Sequence, residues 1–183
     1  ESPVVNGVAT WSNLKLYEGN LLRQSFVVNT ALTNQKFILN NQNIDTSSIR
    51  IKVYEQRNSS NFVTYKPVEN ILNLDGTSEV FFVEEIEDEN YEIFFGDGIF
   101  GKKLENGNFV EISYLTTTGS SSNGAKSFTF SGIITEKSTG NAIPYTTTLA
   151  TSKKSEGGAT IESVSSIKSS ASKAYAAQDR AVT

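Results

Sequence analysis

Short stretches of alternating apolar and polar residues recur along the first 150 residues of the chain. Alternation with a period of two is typical of a strand with one buried face, because successive side chains point to opposite faces of a sheet. The segment Phe-Val-Glu-Ile-Ser-Tyr-Leu at residues 109–115 shows this pattern clearly. Alternation or short β-branched and aromatic runs predict strands at residues 14–18, 24–28, 35–39, 49–54, 62–65, 80–83, 91–95, 109–115, 127–134 and 143–149.

Turn signals separate these strands, among them Asp75-Gly76, Asn106-Gly107 and Asn123-Gly124. No amphipathic helical pattern lies between them, and a parallel sheet needs crossover connections of about a dozen residues or more. The sequence therefore predicts a mainly β fold. We expect an antiparallel β-sandwich or barrel-like core of about ten short strands, followed by a short C-terminal helical segment.

The pattern changes after Ala150, where a polar, glycine-rich stretch precedes apolar residues spaced three and four apart. This spacing predicts an amphipathic helix, and its many serines are mediocre helix formers, so we expect it to depend on packing against a partner. We predict a β-rich domain at 1–150, with a possible internal boundary near 66–78. Residues 151–183 would form a linker and helix leading to a missing C-terminal part. The candidate interface residues of this helix are Ile161, Val164, Ile167 and Ala171.

The composition excludes several classes of chemistry. The sequence has no Cys, no His and no Met. It therefore has no thiolate nucleophile, no Ser-His-Asp triad, no disulfide and no zinc site with the usual nitrogen or sulfur ligands. Ser, Thr and Asn together account for 58 of the 183 residues (23, 18 and 17), a balance typical of strand-and-turn proteins. A chain that starts at Glu1 without Met is expected to be a piece of a longer protein.

Charge and hydropathy argue against nucleic acid and membrane as partners. Sixteen Lys and Arg residues against twenty Asp and Glu residues leave no positive excess to neutralise phosphates. No apolar run approaches the roughly 20 residues of a membrane helix. We therefore expect neither nucleic-acid binding nor membrane insertion.

An acidic run at residues 84–92 contains six carboxylates. Such a run suggests a calcium site or a glycosidase with paired carboxylates. It has no internal glycine and is flanked by predicted strands, and nothing in the sequence positions a catalytic pair. A solvated hairpin loop is the favoured interpretation. We expect no metal, no cofactor and no catalytic residue.

A glycine-rich segment follows the strand predicted at 91–95. Gly96, Gly98 and Gly101 have the G-x-G-x-x-G spacing of a dinucleotide-binding loop. That loop must open a helix, whereas here the chain leads into another strand. We therefore interpret Gly96, Asp97, Gly98 and Gly101 as a tight structural turn in which Asp97 accepts hydrogen bonds from backbone N–H groups.

Two sequence blocks together resemble one family. The first is Phe-Phe-Gly-Asp-Gly-Ile-Phe-Gly at 94–101, followed by Gly-Asn-Phe-Val-Glu-Ile-Ser-Tyr at 107–114, Thr118-Gly119 and Asn123-Gly124. The second runs from Gly157-Gly158 to the terminal Gln-Asp-Arg-Ala-Val-Thr. Both are similar to signatures of contractile-tail bacteriophage baseplate wedge proteins, the baseplate J-like group, and within it to the inner-ring wedge subunits of T-even-type myophages. The resemblance covers about 79–183, and it departs from the family where Ala171-Ser172 replaces the usual proline.

The resemblance implies a non-enzymatic structural subunit that joins neighbouring wedges into a ring around the central hub and shifts when the tail contracts. Its expected partners are other copies of itself, most simply in a dimer, and the neighbouring wedge and hub proteins. Its expected location is the tail baseplate of the virion, with the host cytoplasm during assembly. The competing hypothesis is a carbohydrate-binding or carbohydrate-cleaving tail module, which the Asn- and Thr-rich composition also permits.

Overall fold

The computed structural model describes residues 4–32, 35–68, 70–160, 162 and 164–177. Contacts divide the protein into two compact units, Glu1–Thr117 and Thr118–Thr183. The boundary that the change in composition predicts near Ala150 stays a prediction about domain organisation.

The first unit contains the nine strands found among the described residues. They are β1 (Val4–Val5), β2 (Val8–Ala9), β3 (Asn20–Val27), β4 (Phe37–Leu39), β5 (Ile44–Tyr54), β6 (Phe62–Pro67), β7 (Val80–Glu85), β8 (Tyr91–Phe95) and β9 (Phe109–Thr116). β1 and β2 form a two-stranded hairpin. The other seven form one sheet in the order β3-β9-β5-β6-β7-β8-β4.

This seven-stranded sheet curls into a nearly closed barrel. Its two edge strands, β3 and β4, approach each other where the rings of Phe26 and Phe37 make an edge-to-face contact at 5.4 Å. The Gln35 side chain bridges the same place, because its Nε2 donates to the carbonyl of Val27 at 2.7 Å and its Oε1 accepts from Asn29 N–H at 2.8 Å. The prediction of a mainly β, barrel-like fold is confirmed.

The central strand β9 shows why the alternating pattern folds this way. Val110, Ile112 and Tyr114 are fully buried, while the residues between them are half-buried. Both neighbours, β3 and β5, pair with it in antiparallel register. The core on the concave face is built from Val28, Phe37, Leu39, Ile44, Ile49, Ile51, Val53, Tyr65, Phe81, Ile93, Leu104, Val110, Ile112 and Tyr114.

One strand pair departs from the antiparallel expectation. β6 and β7 are parallel, with Lys66 opposite Val80 and Pro67 opposite Phe81. The connection at residues 68–79 contains a 3₁₀ turn at Ile71–Asn73 and is long enough to return the backbone to the starting end of the sheet. The short connections between β5 and β6 and between β7 and β8 allow these consecutive strands to pair antiparallel. The pairs of β3 with β9, β5 with β9 and β4 with β8 are also antiparallel, although their strands lie far apart in the chain.

Three of the predicted strands do not form. Residues 14–18 are exposed and irregular. Residues 127–134 and 143–149 are irregular and mostly exposed, and an isolated bridge between Thr135 and Ala142 lies between them. Apolar and polar residues alternate in these three segments, but no strand among the described residues pairs with them. The short hairpin of β1 and β2 was not predicted, because strands of two residues are too brief to show a period.

The second unit contains a 3₁₀ turn at Gly119–Ser122 and the helix α1 (Val164–Ala177), which confirms the predicted C-terminal helix. None of the helices in the described ranges has both the length and the apolar character needed to cross a bilayer.

Candidate functional site

The glycine-rich segment after β8 folds back on itself as a closed turn. Gly96 forms a bridge with Lys103, and the N–H of Gly98 donates to the carbonyl of Gly101 at 3.0 Å. The Asp97 carboxylate caps the turn from inside, because its Oδ1 accepts from the N–H groups of Ile99 at 2.8 Å and Phe100 at 2.9 Å. The structure thus brings the four predicted residues, Gly96, Asp97, Gly98 and Gly101, into one turn.

Each glycine of this turn occupies a place that a side chain would disturb. Gly98 and Gly101 have φ values of +95° and +90°, a region that other residues rarely adopt. Gly96 has an ordinary φ, but a Cβ atom there would overlap the carbonyl group of Gly101. The energetic importance of these residues stays a prediction, which the variants described below test.

A second turn, at Asp75–Ser78, lies in backbone contact with the first. The N–H of Gly101 donates to the Asp75 carbonyl at 2.9 Å, and that of Lys102 donates to the Ser78 carbonyl at 2.7 Å. A Cβ at Gly76 would overlap the Gly98 carbonyl oxygen. The Asp75-Gly76 dipeptide signals a turn in the sequence, but no local pattern indicates that the two turns meet.

Hydrogen bonds keep both turn carboxylates ionised. The backbone N–H groups of Phe100 and Ile99 lower the pKa of Asp97. The Ser78 hydroxyl, followed by the Thr77 hydroxyl and N–H, lowers the pKa of Asp75. An ionised carboxylate accepts hydrogen bonds, and both residues use this capacity to hold groups of their own turns.

The closed turn exposes two large apolar side chains at its tip. Ile99 is 68% exposed and Phe100 is 54% exposed. Their backbone N–H groups are the ones that Asp97 holds, so the tip residues are fixed in position although their side chains face solvent. We call Ile99 and Phe100 the turn tip. The connection that carries the second turn also exposes Ile71 and Leu72.

The acidic run lies at the opposite end of β8 from the turn tip. It forms the end of β7, a 3₁₀ turn at Glu87–Glu89 and the start of β8, in keeping with the predicted hairpin loop. Within the described ranges, no group of three or more Asp, Glu, His or Cys residues is arranged to hold a metal ion.

One member of the run is not solvated. Glu92 is only 5% exposed, and its carboxylate accepts from the Lys36 ammonium group at 2.9 Å. Glu92 is the second residue of β8, which lies between β7 and β4 in the sheet, opposite Glu84 on one side and Ile38 on the other. The local sequence pattern does not indicate that Glu92 is buried and paired while the other carboxylates of the run are not buried.

In the second unit, hydrogen bonds join the two sequence blocks described above. The Asn123 side chain donates to the Gly158 carbonyl at 2.8 Å and accepts from the Gly158 N–H at 3.0 Å. The N–H of Gly124 donates to the Ser155 carbonyl at 2.9 Å. A Cβ at Gly158 would overlap the Gly119 carbonyl oxygen. These contacts close the long segment 126–154 at its base.

The candidate interface residues of the helix are partly described. Ile167 is 49% exposed and Ala171 is exposed. Val164 begins α1, and Ile161 lies outside the described residues. Their role as an interface stays a prediction.

Comparison with known families identifies one match. The family model described as bacteriophage baseplate wedge protein gp6, third domain, matches residues 21–122, more than half of the chain. The match includes β3 from its second residue, β4 to β9 and both turns, so it extends the resemblance seen in the sequence towards the N-terminus. The block that begins at Gly157 lies beyond it. No curated protein matches the sequence.

Proposed function

Because the chain belongs to the family of the third domain of bacteriophage baseplate wedge protein gp6, a structural component of the phage tail baseplate, we propose that it joins neighbouring wedges into a ring around the central hub. In this proposal the protein works through protein contacts and catalyses no reaction. It assembles in the host cytoplasm and is then part of the tail baseplate of the virion.

The observation that carries the proposal is the turn tip. Ile99 and Phe100 expose apolar surface on a backbone that is already fixed by Asp97 and by the turn at Asp75–Ser78. A contact made by fixed residues loses little conformational entropy on binding. Aromatic residues, phenylalanine among them, are enriched in protein interfaces, and burial of exposed apolar surface stabilises the contact. The turn tip therefore has the properties of a preformed contact point.

The helix α1 supplies a second proposed contact. It is rich in serine, a mediocre helix former, and Ile167 remains half-exposed. Helices of this length depend largely on packing for their stability. We expect α1 to pack against a second copy or a neighbouring wedge protein. When the wedges rearrange during tail contraction, the turn tip and α1 would then pack against different partner surfaces.

The turn-tip contact is tested with the variant Ile99→Ser/Phe100→Ser in the full wedge protein. Because both side chains face solvent, we expect the isolated variant to melt like the parent while ring assembly, followed by sedimentation and electron microscopy, is lost. The matched control is Leu14→Ser/Leu16→Ser, which also changes two exposed apolar residues, 66% and 59% exposed, in an irregular segment. Normal assembly of the turn-tip variant would refute the proposed contact.

The helix contact is tested by hydrogen exchange on the isolated protein and on the assembled baseplate. Protection of residues 164–177 that is gained only on assembly would support an interface helix. Strong, equal protection in both samples would instead show that the helix packs against other parts of its own chain.

The carbohydrate hypothesis is tested by a glycan array and a reducing-sugar release assay. Specific sugar binding or cleavage that is abolished by replacing an exposed carboxylate, such as Glu87, would replace the structural proposal. The structural proposal predicts that neither assay gives a signal.

A further inference from the structure

Three Asn-Gly pairs occur in the sequence, and such pairs are prone to a spontaneous reaction. The backbone nitrogen of glycine attacks the amide carbon of the asparagine side chain and gives up its proton. The bond between that carbon and the amide nitrogen breaks and ammonia leaves, which closes a five-membered succinimide. Water from the solvent then opens the ring at either carbonyl and leaves aspartate or isoaspartate. Glycine favours the reaction because no side chain obstructs its nitrogen.

Two of the three pairs are held by hydrogen bonds. At Asn106, the side-chain oxygen accepts from Thr30 N–H at 3.1 Å, and the attacking nitrogen of Gly107 donates to the Val28 carbonyl at 2.8 Å. Both groups must leave these partners before they can react.

The pair at Asn123 is held even more completely. Both ends of its amide are bonded to the backbone of Gly158, and the nitrogen of Gly124 donates to the Ser155 carbonyl. Attack therefore requires three hydrogen bonds to break at once, which requires opening of the base of segment 126–154.

The pair at Asn6-Gly7 has no comparable restraint. It forms the two-residue turn between β1 and β2, with φ values of 50° and 76°, as expected for a type I′ hairpin. Among the described residues, no hydrogen bond involves the Asn6 amide or the Gly7 nitrogen, and no atom lies within 4 Å of the site where a Gly7 Cβ would be. The strands on either side are two residues long, and their valines are more than 60% exposed. Opening this hairpin costs little, because an isolated two-stranded hairpin is marginally stable.

We propose that Asn6 is a site of spontaneous deamidation in the folded protein, and that Asn106 and Asn123 are protected from the same reaction. The product adds a carboxylate to the turn. Isoaspartate also adds a methylene group to the backbone, which breaks the register of Val5 opposite Val8. This inference does not depend on the proposed role in the baseplate.

The test compares the rate of amide loss at each asparagine in the folded protein and in concentrated urea, by peptide mapping with mass spectrometry at mildly alkaline pH. We expect the ratio of the urea rate to the folded rate to be near one at Asn6 and far larger at Asn106 and Asn123. A ratio at Asn6 equal to or above the other two would overturn the proposal. The variant Asn6→Gln keeps an amide but requires a larger ring, so the reaction at residue 6 should disappear.

A second variant tests the protection itself. Gly158→Ala places a Cβ where it would overlap the Gly119 carbonyl oxygen and lie 3.0 Å from Asn123 Oδ1, so the backbone must shift where Gly158 bonds to Asn123. We expect faster amide loss at Asn123 and an unchanged rate at Asn6. An unchanged rate at Asn123 would show that these hydrogen bonds do not protect it.

Discussion

The two compact units of this protein contain similar alternating sequence patterns but use them differently. In the first unit, most of the predicted strands form and bury a single core on the concave face of the barrel. In the second unit, residues 127–134 and 143–149 have the same kind of pattern and remain irregular. Ile133 illustrates the result, since 76% of it is exposed.

The difference teaches that alternation alone is not a sufficient signal for a strand. A strand is stable when neighbours satisfy its backbone groups and cover one of its faces. In the first unit β9 receives both from β3 and β5. In the second, specific polar contacts replace the core, as in the pairing of Asn123 with Gly158 and the single Phe130–Tyr145 ring contact at 5.5 Å among the described residues.

The largest expected effect is the loss of a core side chain from the first unit. Ile112 is fully buried at the centre of β9. We expect Ile112→Ala to lower the free energy of unfolding by about 2–5 kcal/mol, because it removes buried apolar surface and leaves a cavity. Denaturant titration should show a lower midpoint with an unchanged slope.

The matched control removes the same atoms from the second unit. Ile133→Ala should change the free energy of unfolding by less than about 0.5 kcal/mol, since the side chain is mostly in solvent already. A cost comparable to that of Ile112→Ala would show that the second unit has a core of its own, and the contrast between the units would fail.

A smaller effect is expected at the glycine turn. In Gly96→Ala the new Cβ would overlap the Gly101 carbonyl group, and we expect a cost of about 1–3 kcal/mol. Gly98→Val should cost a similar amount, about 1–3 kcal/mol, through its positive φ. Thermal or denaturant unfolding measures both.

Gly107→Ala is the control for the glycine turn. Gly107 also has a positive φ, but no atom lies within 4 Å of its Cβ position, so only the conformational cost of about 1–2 kcal/mol applies. If Gly96→Ala unfolds like the parent, the close approach of Gly96 to Gly101 within the turn is not a determinant of stability.

These variants separate what the sequence predicts from what only the structure shows. The presence of the glycine turn is evident from Gly96, Asp97, Gly98 and Gly101, because glycine and aspartate act through local backbone geometry. The partner turn at Asp75–Ser78 lies well upstream in the sequence, and its contact depends on how β7 and β8 pair. Local patterns carry no information about such a contact.

The same distinction applies to the parallel pair and to Glu92. Short connections predict antiparallel neighbours, but the connection at residues 68–79 allows β7 to run parallel to β6. Glu92 belongs to an acidic run whose other carboxylates are exposed or half-buried, whereas Glu92 itself is buried in a strand between β7 and β4 and is paired with Lys36. Strand order is a property of the whole sheet, so neither feature is visible in a window of sequence.

A local effect is expected in the second unit from Asn123→Ala. The variant removes two hydrogen bonds to the Gly158 backbone, and each typical bond contributes about 0.5–1.5 kcal/mol. We expect faster hydrogen exchange at Gly124, Ser155 and Gly158, with little change in the barrel.

Asn141→Ala is the control for the Asn123–Gly158 hydrogen bonds. It removes another asparagine side chain of the same unit, one that makes none of the hydrogen bonds described above. It should leave exchange at Gly124 and Gly158 unaltered. Faster exchange throughout β9 in Asn123→Ala would contradict an effect confined to the second unit.

The smallest expected effect is on the dependence of stability on acid pH. Backbone N–H groups lower the pKa of Asp97 below its ordinary 3.8, so the folded protein binds fewer protons there than the unfolded protein. The resulting stabilisation is complete above the unfolded pKa and is lost as pH falls through the folded pKa. In Asp97→Asn the position no longer titrates, so the decline in global stability below about pH 4 should become shallower.

The Thr139 hydroxyl likewise lowers the pKa of Glu136 in the second unit. Because that unit lacks the barrel's core, Glu136→Gln should alter only hydrogen exchange around residues 136–141 in acid. If Glu136→Gln flattens the global acid transition as much as Asp97→Asn does, the second unit unfolds together with the barrel, and the two units share one cooperative transition.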